Sequence, residues 1–211
     1  MGVVTISSSY GAGGATIGPT VAQKLGVDFF DRAIPVAVAH ELALNAEEVL
    51  EYDERPPRRL ERMLQALASS VIPLGPDPST ELMDNPRRIR EATETLLRSI
   101  ADGNGAVVLG RAAMVVLGKR PDVLCVRLDG PAEARITSMS ELTHIDIEIA
   151  RQAQRETDGA REAYSQSFYG VSQSDASLYH LILDSTAIDH DACVEIIVTA
   201  ARARFEAATH G

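Results

Sequence analysis

Three features of this 211-residue chain predict an α/β fold built on a parallel sheet. Val3-Val4-Thr5-Ile6 is β-branched throughout, which suits a strand buried on both faces. A run of small residues follows, and from Thr16 the apolar positions Ile17, Val21 and Leu25 recur at helical spacing. A short apolar segment, Val27 to Phe30, then completes the strand, loop, helix, strand order of such a fold.

Gly26 ends the first helix, where a left-handed residue closes the last turn. From Ile34 to Asp102 no strand pattern occurs, while Leu60, Met63, Leu64 and Leu67 form a helical stripe. This segment reads as an all-helical insertion, broken at Pro56-Pro57 and between Pro73 and Pro78. The sheet resumes at Ala106-Val107-Val108-Leu109 and Val123-Leu124-Cys125-Val126, each followed by a helix; Pro131 sits where a first turn tolerates proline. Beyond Thr143 the chain is polar and arginine-rich to about Ser174. A strand at Leu181-Ile182-Leu183 follows, then a last helix from Asp189 with Cys193, Ile196, Ile197, Ala200 and Ala201 on one face. The whole, 1–211, reads as a single domain.

Thirty acidic residues against twenty Lys and Arg give a formal net charge of −10, which argues against a protein that coats nucleic acid or an anionic membrane. Any anion must be bound locally. Cys125 and Cys193 lie in apolar stretches without metal-site or disulfide spacing and read as buried thiols. No apolar run approaches the roughly 18 residues needed to span a bilayer, so the expectation is a soluble, cytoplasmic protein. The five histidines show no metal-ligand spacing.

Chemistry concentrates in the loop Ser7-Ser8-Ser9-Tyr10-Gly11-Ala12-Gly13-Gly14-Ala15-Thr16, between the first strand and the first helix. Small residues let backbone N–H groups converge on phosphate, and the helix N-terminus adds partial positive charge. The segment Tyr10, Gly11, Ala12, Gly13, Gly14, Ala15 and Thr16 is the candidate binding loop, and the Thr16 hydroxyl suits phosphate or Mg2+. The standard P-loop carries a lysine after its last glycine, and here that residue is Gly14. Two rivals stand beside phosphate binding. One is a tight turn that packs a helix on a sheet; the other is a dinucleotide loop with Asp31 as the ribose acid, although Thr16 takes the place of its third glycine.

VVTISSSYGAGGATIG followed by FFDRAI resembles the opening of the cytidylate-kinase-like family, a branch of the P-loop nucleoside monophosphate kinases. VVLGRAA, DGAREAYSQSFYGV and ASLYHLILDSTAI extend the resemblance along the chain, apart from about residues 40–100. It implies a P-loop NTPase-type three-layer fold with a helical insertion at about 34–102 and an arginine-containing lid at about 143–174. Relatives also lack the P-loop lysine, but commonly place Arg where this chain has Ser8. The loop itself therefore holds no cation, and charge for phosphoryl transfer must come from elsewhere.

By this resemblance the source is the lid, where Arg151, Arg155 and Arg161 are the candidate catalytic cations. The bland reading of the same helix is a solvated face with pairs such as Glu148–Arg151 and Gln152–Glu156. Asp31, Arg32 and Arg111 fall at carboxyl ends of strands, where parallel sheets bind ligands, and the resemblance assigns them to the acceptor side; local ion pairs are the alternative. By the same resemblance Asp184, in the turn Asp184-Ser185-Thr186, flanks the adenine or acceptor pocket, or else it caps the last helix. Two arginine clusters, Arg55 to Arg62 and Arg87 to Arg90, lie among acids and read as solvated faces. His180 stands where relatives often have Asp.

The implied activity is transfer of the ATP γ-phosphate to a nucleoside monophosphate, CMP or dCMP, with Mg2+. Nucleotides would be the partners, with no nucleic acid and no membrane, and a homo-oligomer left open. The alternatives are a nucleotide-binding regulatory protein without turnover and a kinase of another small metabolite.

Overall fold

Apolar β-branched residues at consecutive positions demand cover on both faces, and the fold supplies it with two helical layers. The structure is a computed structural model that describes residues 2–31 and 86–210. Its five strands are β1 (Val3–Ser8), β2 (Asp28–Phe30), β3 (Ala106–Leu109), β4 (Val123–Asp129) and β5 (Leu181–Asp184). All pair in parallel, in the order β2-β3-β1-β4-β5. β1, the central strand, is buried at every residue and runs in register with β3 (Val3 to Ala106) and β4 (Val3 to Val123).

On one face lie α1 (Gly14–Leu25) and the last helix, α6 (His190–His210), which set Ile17, Val21, Cys193 and Ile197 against Val4 and Ile6. On the other lie α2 (Pro86–Ala101), α3 (Ala113–Leu117) and the aromatic end of α5 (Ile147–Tyr169), around Val3, Val108 and Cys125. Between β4 and α5 runs α4 (Ala132–Thr143). Each large side chain so buried contributes about 1.5–3 kcal/mol. These two layers make the three-layer α/β fold expected from the sequence.

Gly26 closes α1 in a left-handed conformation, φ 70°, with its N–H on the carbonyls of Ala22 and Gln23. Both cysteines are buried free thiols. Three expectations need correction. β1 and β4 run on through Ser7-Ser8 and through Arg127 to Asp129, because these polar side chains find partners at the sheet's carboxyl end. α1 starts at Gly14, two residues before Thr16. On α6, Val194 and Val198 are buried beside Cys193, Ile197 and Ala201, whereas Ile196 is 38% exposed and Ala200 only partly covered. The helix read around Arg151 to Arg161 is present, as a continuous 23-residue element capped at its start by the Asp146 side chain. The helical stripe at Leu60 to Leu67, the proline breaks and the arginines from Arg55 to Arg62 lie outside the described residues.

His180 extends the β4–β5 pairing by one step. Its N–H donates to the Cys125 carbonyl at 2.8 Å, and its Nδ1 accepts from the Cys125 N–H at 2.9 Å. That second bond requires Nδ1 to be unprotonated. Burial, with the nearby charge of Arg204, holds the imidazole below its ordinary value of 6.5. Between the folded value and 6.5 the unfolded chain binds more protons, so stability is full above that window and falls as pH falls through it. Urea midpoints at about pH 7.5 and about pH 5.5 should therefore drop further in the native protein than in His180→Asn, whose amide oxygen can still accept from Cys125.

Candidate functional site

The polypeptide leaves β1 at the centre of the sheet's carboxyl edge, beside the point where strand connections diverge to either side, which is where parallel α/β folds bind ligands. The small-residue loop turns there into α1. Gly11 and Gly13 take positive φ, 75° and 72°. At Gly13 a side chain would also collide with the His190 imidazole, 2.5 Å from the place a Cβ would occupy. Gly13 is followed directly by α1, and among the described residues no acceptor is found for the N–H groups of Gly13, Gly14 and Ala15. Unsatisfied donors at a helix N-terminus are the elements of an anion site.

Gly14 has a different constraint. A Cβ there would lie 2.6 Å from the Ser8 Cβ and 2.7 Å from its Oγ. The side chain at position 8 thus fills the space that a side chain at position 14, including the usual lysine, would enter.

Two supports hold the loop from opposite sides. On the α6 side the buried Ser185 hydroxyl donates to the Ala12 carbonyl at 2.8 Å, and the Ser185 N–H donates to the Asp129 carbonyl at 3.1 Å. On the α5 side the Tyr10 backbone is gripped on both sides of its Cα. Its N–H donates to Asp158 Oδ1 at 2.7 Å, and its carbonyl accepts from Arg135 Nη1 at 2.6 Å. Arg135, only 7% exposed, also donates to Asp158 Oδ2 at 2.9 Å and to the Gly130 carbonyl at 2.9 Å.

Between the loop and α5 is a cleft of about 310 Å³, lined by Ser8, Ser9, Arg127, Asp129, Arg135, Asp158, Arg161 and Glu162, and by the turn Ser172–Ser174. Arg161 reaches across it to donate to the Ser8 carbonyl, with its guanidinium 3.8 Å from Asp158. Arg127 is fixed by Asp129, by the Ser9 hydroxyl at 3.1 Å and by the Gln173 carbonyl at 2.9 Å, and faces the Tyr179 ring at 5.8 Å. Burial raises the Asp129 carboxyl, but the hydrogen bonds from Arg127 and Ser9 outweigh it and leave the group below the usual carboxylate range. Three cations and three carboxylates face this cleft.

The loop residues Tyr10 to Thr16 are brought together, with Tyr10 and Ala12 buried and Ala15 and Thr16 exposed at the head of α1. Arg161 lies in the cleft. Arg151 does not line it: its guanidinium pairs with Glu133 of α4 and with Glu148 at 3.5 Å. Arg155 is exposed and acts electrostatically on the same Glu133. The other expected helix pair, Gln152 with Glu156, is present at 2.8 Å. Asp184 serves the turn ahead of α6, its Oδ1 accepting from the Thr186 N–H and hydroxyl and from the Ala187 N–H. The helix itself is capped by Asp189.

On the far side of β1, Gly110, Arg111 and Ala112 take φ of 77°, 60° and 50° in succession. Non-glycine residues held in this region cost on the order of 1–3 kcal/mol each and gather at functional sites. Burial pushes the Arg111 guanidinium below its ordinary value, opposed by Tyr164 and Asp31. Asp31 and Arg111, remote in sequence, are therefore electrostatic neighbours. Arg32 lies outside the described residues, as do the side chains of Arg87 and Arg88; Arg90 donates to the Phe168 carbonyl and pairs with Glu94.

Arg127, Arg135 and Gln173 were missed by sequence reasoning, while Asp158 and Ser185 stood inside recognised motifs without a role of their own. Arg127 had a signal, being a charge within the apolar strand VLCVRLD, and Asp158 stands one helical turn before Arg161. Arg135 carried none.

The Ser8–Gly14 contact makes a specific demand. Gly14→Ala should destabilise the protein by about 1–3 kcal/mol, as overpacking does, and adding Ser8→Gly should recover much of that loss. Urea denaturation of the two single variants and the double variant checks it; additive losses would show that Ser8 does not exclude the side chain.

The sequence model of the cytidylate kinase-like family matches residues 3–187. A protein named cytidylate kinase from Methanopyrus kandleri is 28% identical over 208 residues, spanning 94% of this chain and 92% of that one. Among solved structures, an uncharacterized protein from Eubacterium ventriosum superposes with a TM-score of 0.67 at 14% identity, over 96% of this chain and 99% of that one. The latter is a likeness of fold. No helix among the described residues is long and apolar enough to cross a membrane.

Proposed function

The chain belongs to the cytidylate kinase-like family, and from that premise we propose that it moves the γ-phosphate of Mg-ATP to a pyrimidine nucleoside monophosphate, CMP or dCMP. Its family makes it a kinase-type phosphotransferase. The observation that carries the mechanistic part is the reach of Arg161 from α5 to the Ser8 carbonyl, at the end of the strand that feeds the loop.

The loop has no cation of its own, since Gly14 stands in the lysine position and Ser8 fills the space beside it. Backbone N–H groups of Gly13, Gly14 and Ala15 would hold the donor phosphates at the head of α1. Arg161 would supply the missing positive charge as the γ-phosphoryl group passes to the acceptor. A planar guanidinium suits this task because it binds phosphate oxygens in pairs and stays charged. Arg151 and Arg155, engaged around Glu133, are left out of the step.

On the acceptor side, Arg111 with Asp31 would place the monophosphate, at the end of β3 where the backbone is strained. An acceptor phosphate is already ionised and needs no strong base, so positioning and charge neutralisation suffice. The acceptor oxygen forms its bond to the γ-phosphorus as the bond to the β–γ bridging oxygen breaks, and ADP departs. Among the described residues no group of three or more His, Cys, Asp or Glu side chains could hold a metal. The exposed Thr16 hydroxyl fits Mg2+ of the kind held chiefly by nucleotide phosphates, with the protein adding one or two oxygens. When bound, the ion would offset charge on the phosphate oxygens.

ADP formation from Mg-ATP, measured with CMP, dCMP, UMP and AMP supplied separately, tests this reading. The expected result is turnover with CMP or dCMP that falls about 100-fold or more in Arg161→Ala, the scale of losing one charge-stabilising donor. The melting temperature should shift by only a few degrees, as for a change of about 1 kcal/mol. Nucleotide binding without turnover on any acceptor would favour a regulatory binding protein, to which the cation-free loop also points. Turnover confined to AMP, or unchanged in the variant, would contradict the proposal.

A further inference from the structure

A carboxylate is a poor neighbour for phosphate, yet Asp158 lines the cleft between α5 and the phosphate loop. Its bonding accounts for its presence. Oδ1 accepts the Tyr10 N–H, while Oδ2 accepts from Arg135 at 2.9 Å and from Gln154 Nε2 at 2.9 Å. Both oxygens are thus turned to donors from the loop, α4 and α5. Arg135 in turn holds the carbonyl of the same residue, Tyr10. Two successive peptide groups of the loop are thus fixed, Ser9–Tyr10 at its N–H by α5 and Tyr10–Gly11 at its carbonyl by α4.

Asp158 and Arg161 are one helical turn apart on α5, and both reach the strand-to-loop segment, Asp158 at Tyr10 and Arg161 at Ser8. Residues at this spacing share a helix face. Fixing the first therefore sets the height and rotation at which the second meets the loop. Resting on the reading of Arg161 above, we infer that Asp158 is a positioning residue for phosphoryl transfer: it locks α5 to the Tyr10 peptide and so delivers the Arg161 guanidinium to the donor phosphates, without touching phosphate itself.

A positioning residue acts only through the group it positions. Its loss should cost little once that group is gone, whereas two groups acting separately multiply their effects. The cycle comprises native protein, Asp158→Ala, Arg161→Ala and the double variant, with kcat, KM for ATP and the dissociation constant for Mg-ATP measured for each. The expectation is a fall in kcat of about 10-fold or more for Asp158→Ala, and a double variant within about 3-fold of Arg161→Ala alone.

Asp158→Asn serves as the gentler arm. It keeps an oxygen for the Tyr10 N–H and should retain more turnover than Asp158→Ala, and it replaces that variant in the cycle if the latter loses cooperative unfolding. Multiplicative losses in the double variant would overturn the inference. So would tighter Mg-ATP binding in Asp158→Asn, the mark of a carboxylate that competes with phosphate. Native turnover in Arg161→Ala would instead overturn the reading of Arg161 on which the inference rests. If no acceptor is turned over, the same cycle is read from the Mg-ATP dissociation constants, with non-additivity again the expected result and additivity the contrary one.

Discussion

The backbone of Tyr10, its N–H held by Asp158 and its carbonyl by Arg135, is the junction on which the site depends. A loop of glycine, alanine and serine has few side chains with which to fix itself, and glycine loses more conformational freedom on ordering than any other residue. Its shape must be imposed by contacts from outside. Arg135 and Asp158 supply them on one flank, and the Ser185 hydroxyl on Ala12 supplies them on the other. Arg135 is only 7% exposed but Asp158 is 24% exposed at the cleft, so the pair is partly buried, and removing one partner leaves polar atoms unsatisfied at a cost of about 1–3 kcal/mol. The same pair ties α4 and α5 to the sheet edge, so the loop and the arms over it are ordered together.

Electrostatics around the loop follow from a steric fact. Position 14 lies so close to the Ser8 side chain that glycine is the residue that fits, and a lysine stem has no room. Charge for phosphate must then arrive from another element, and α5 places Arg161 at Ser8. A cleft that faces three arginines with three carboxylates has little net field to draw anions from afar. Recognition must come from hydrogen-bond geometry at short range, which agrees with the acidic composition of the whole chain.

The sheet and the loop were legible in the sequence because their signals are local. Four β-branched residues, a glycine-rich turn and a helical repeat ending at Gly26 define β1, the loop and α1 within the first 26 residues. Arg161 was legible from its place in a recognisable motif. The partners that shape the site were not, since Arg135 and Asp158 meet Tyr10 across separations of 125 and 148 residues. No periodicity reports such a contact. The face of α6 was misread for a related reason: Ile196 is as apolar as Ile197, and only the direction in which the helix meets the sheet makes one exposed and the other buried. Arg151 pairs with Glu133 on α4, and Arg155 is exposed near the same carboxylate, so neither lines the cleft that Arg161 enters.

The central claim is that an arginine from α5 supplies the charge that the loop lacks. A crystal structure with a non-hydrolysable ATP analogue and Mg2+ tests it most directly. The analogue's β- and γ-phosphates are expected at the head of α1, with the N–H groups of Gly13, Gly14 and Ala15 directed at them. The Arg161 guanidinium should stand at charge-assisted hydrogen-bond distance, about 2.7–2.9 Å, from a γ-phosphate oxygen. Phosphates bound with Arg161 still on the Ser8 carbonyl and another cation in contact, or an analogue seated away from the loop, would contradict it.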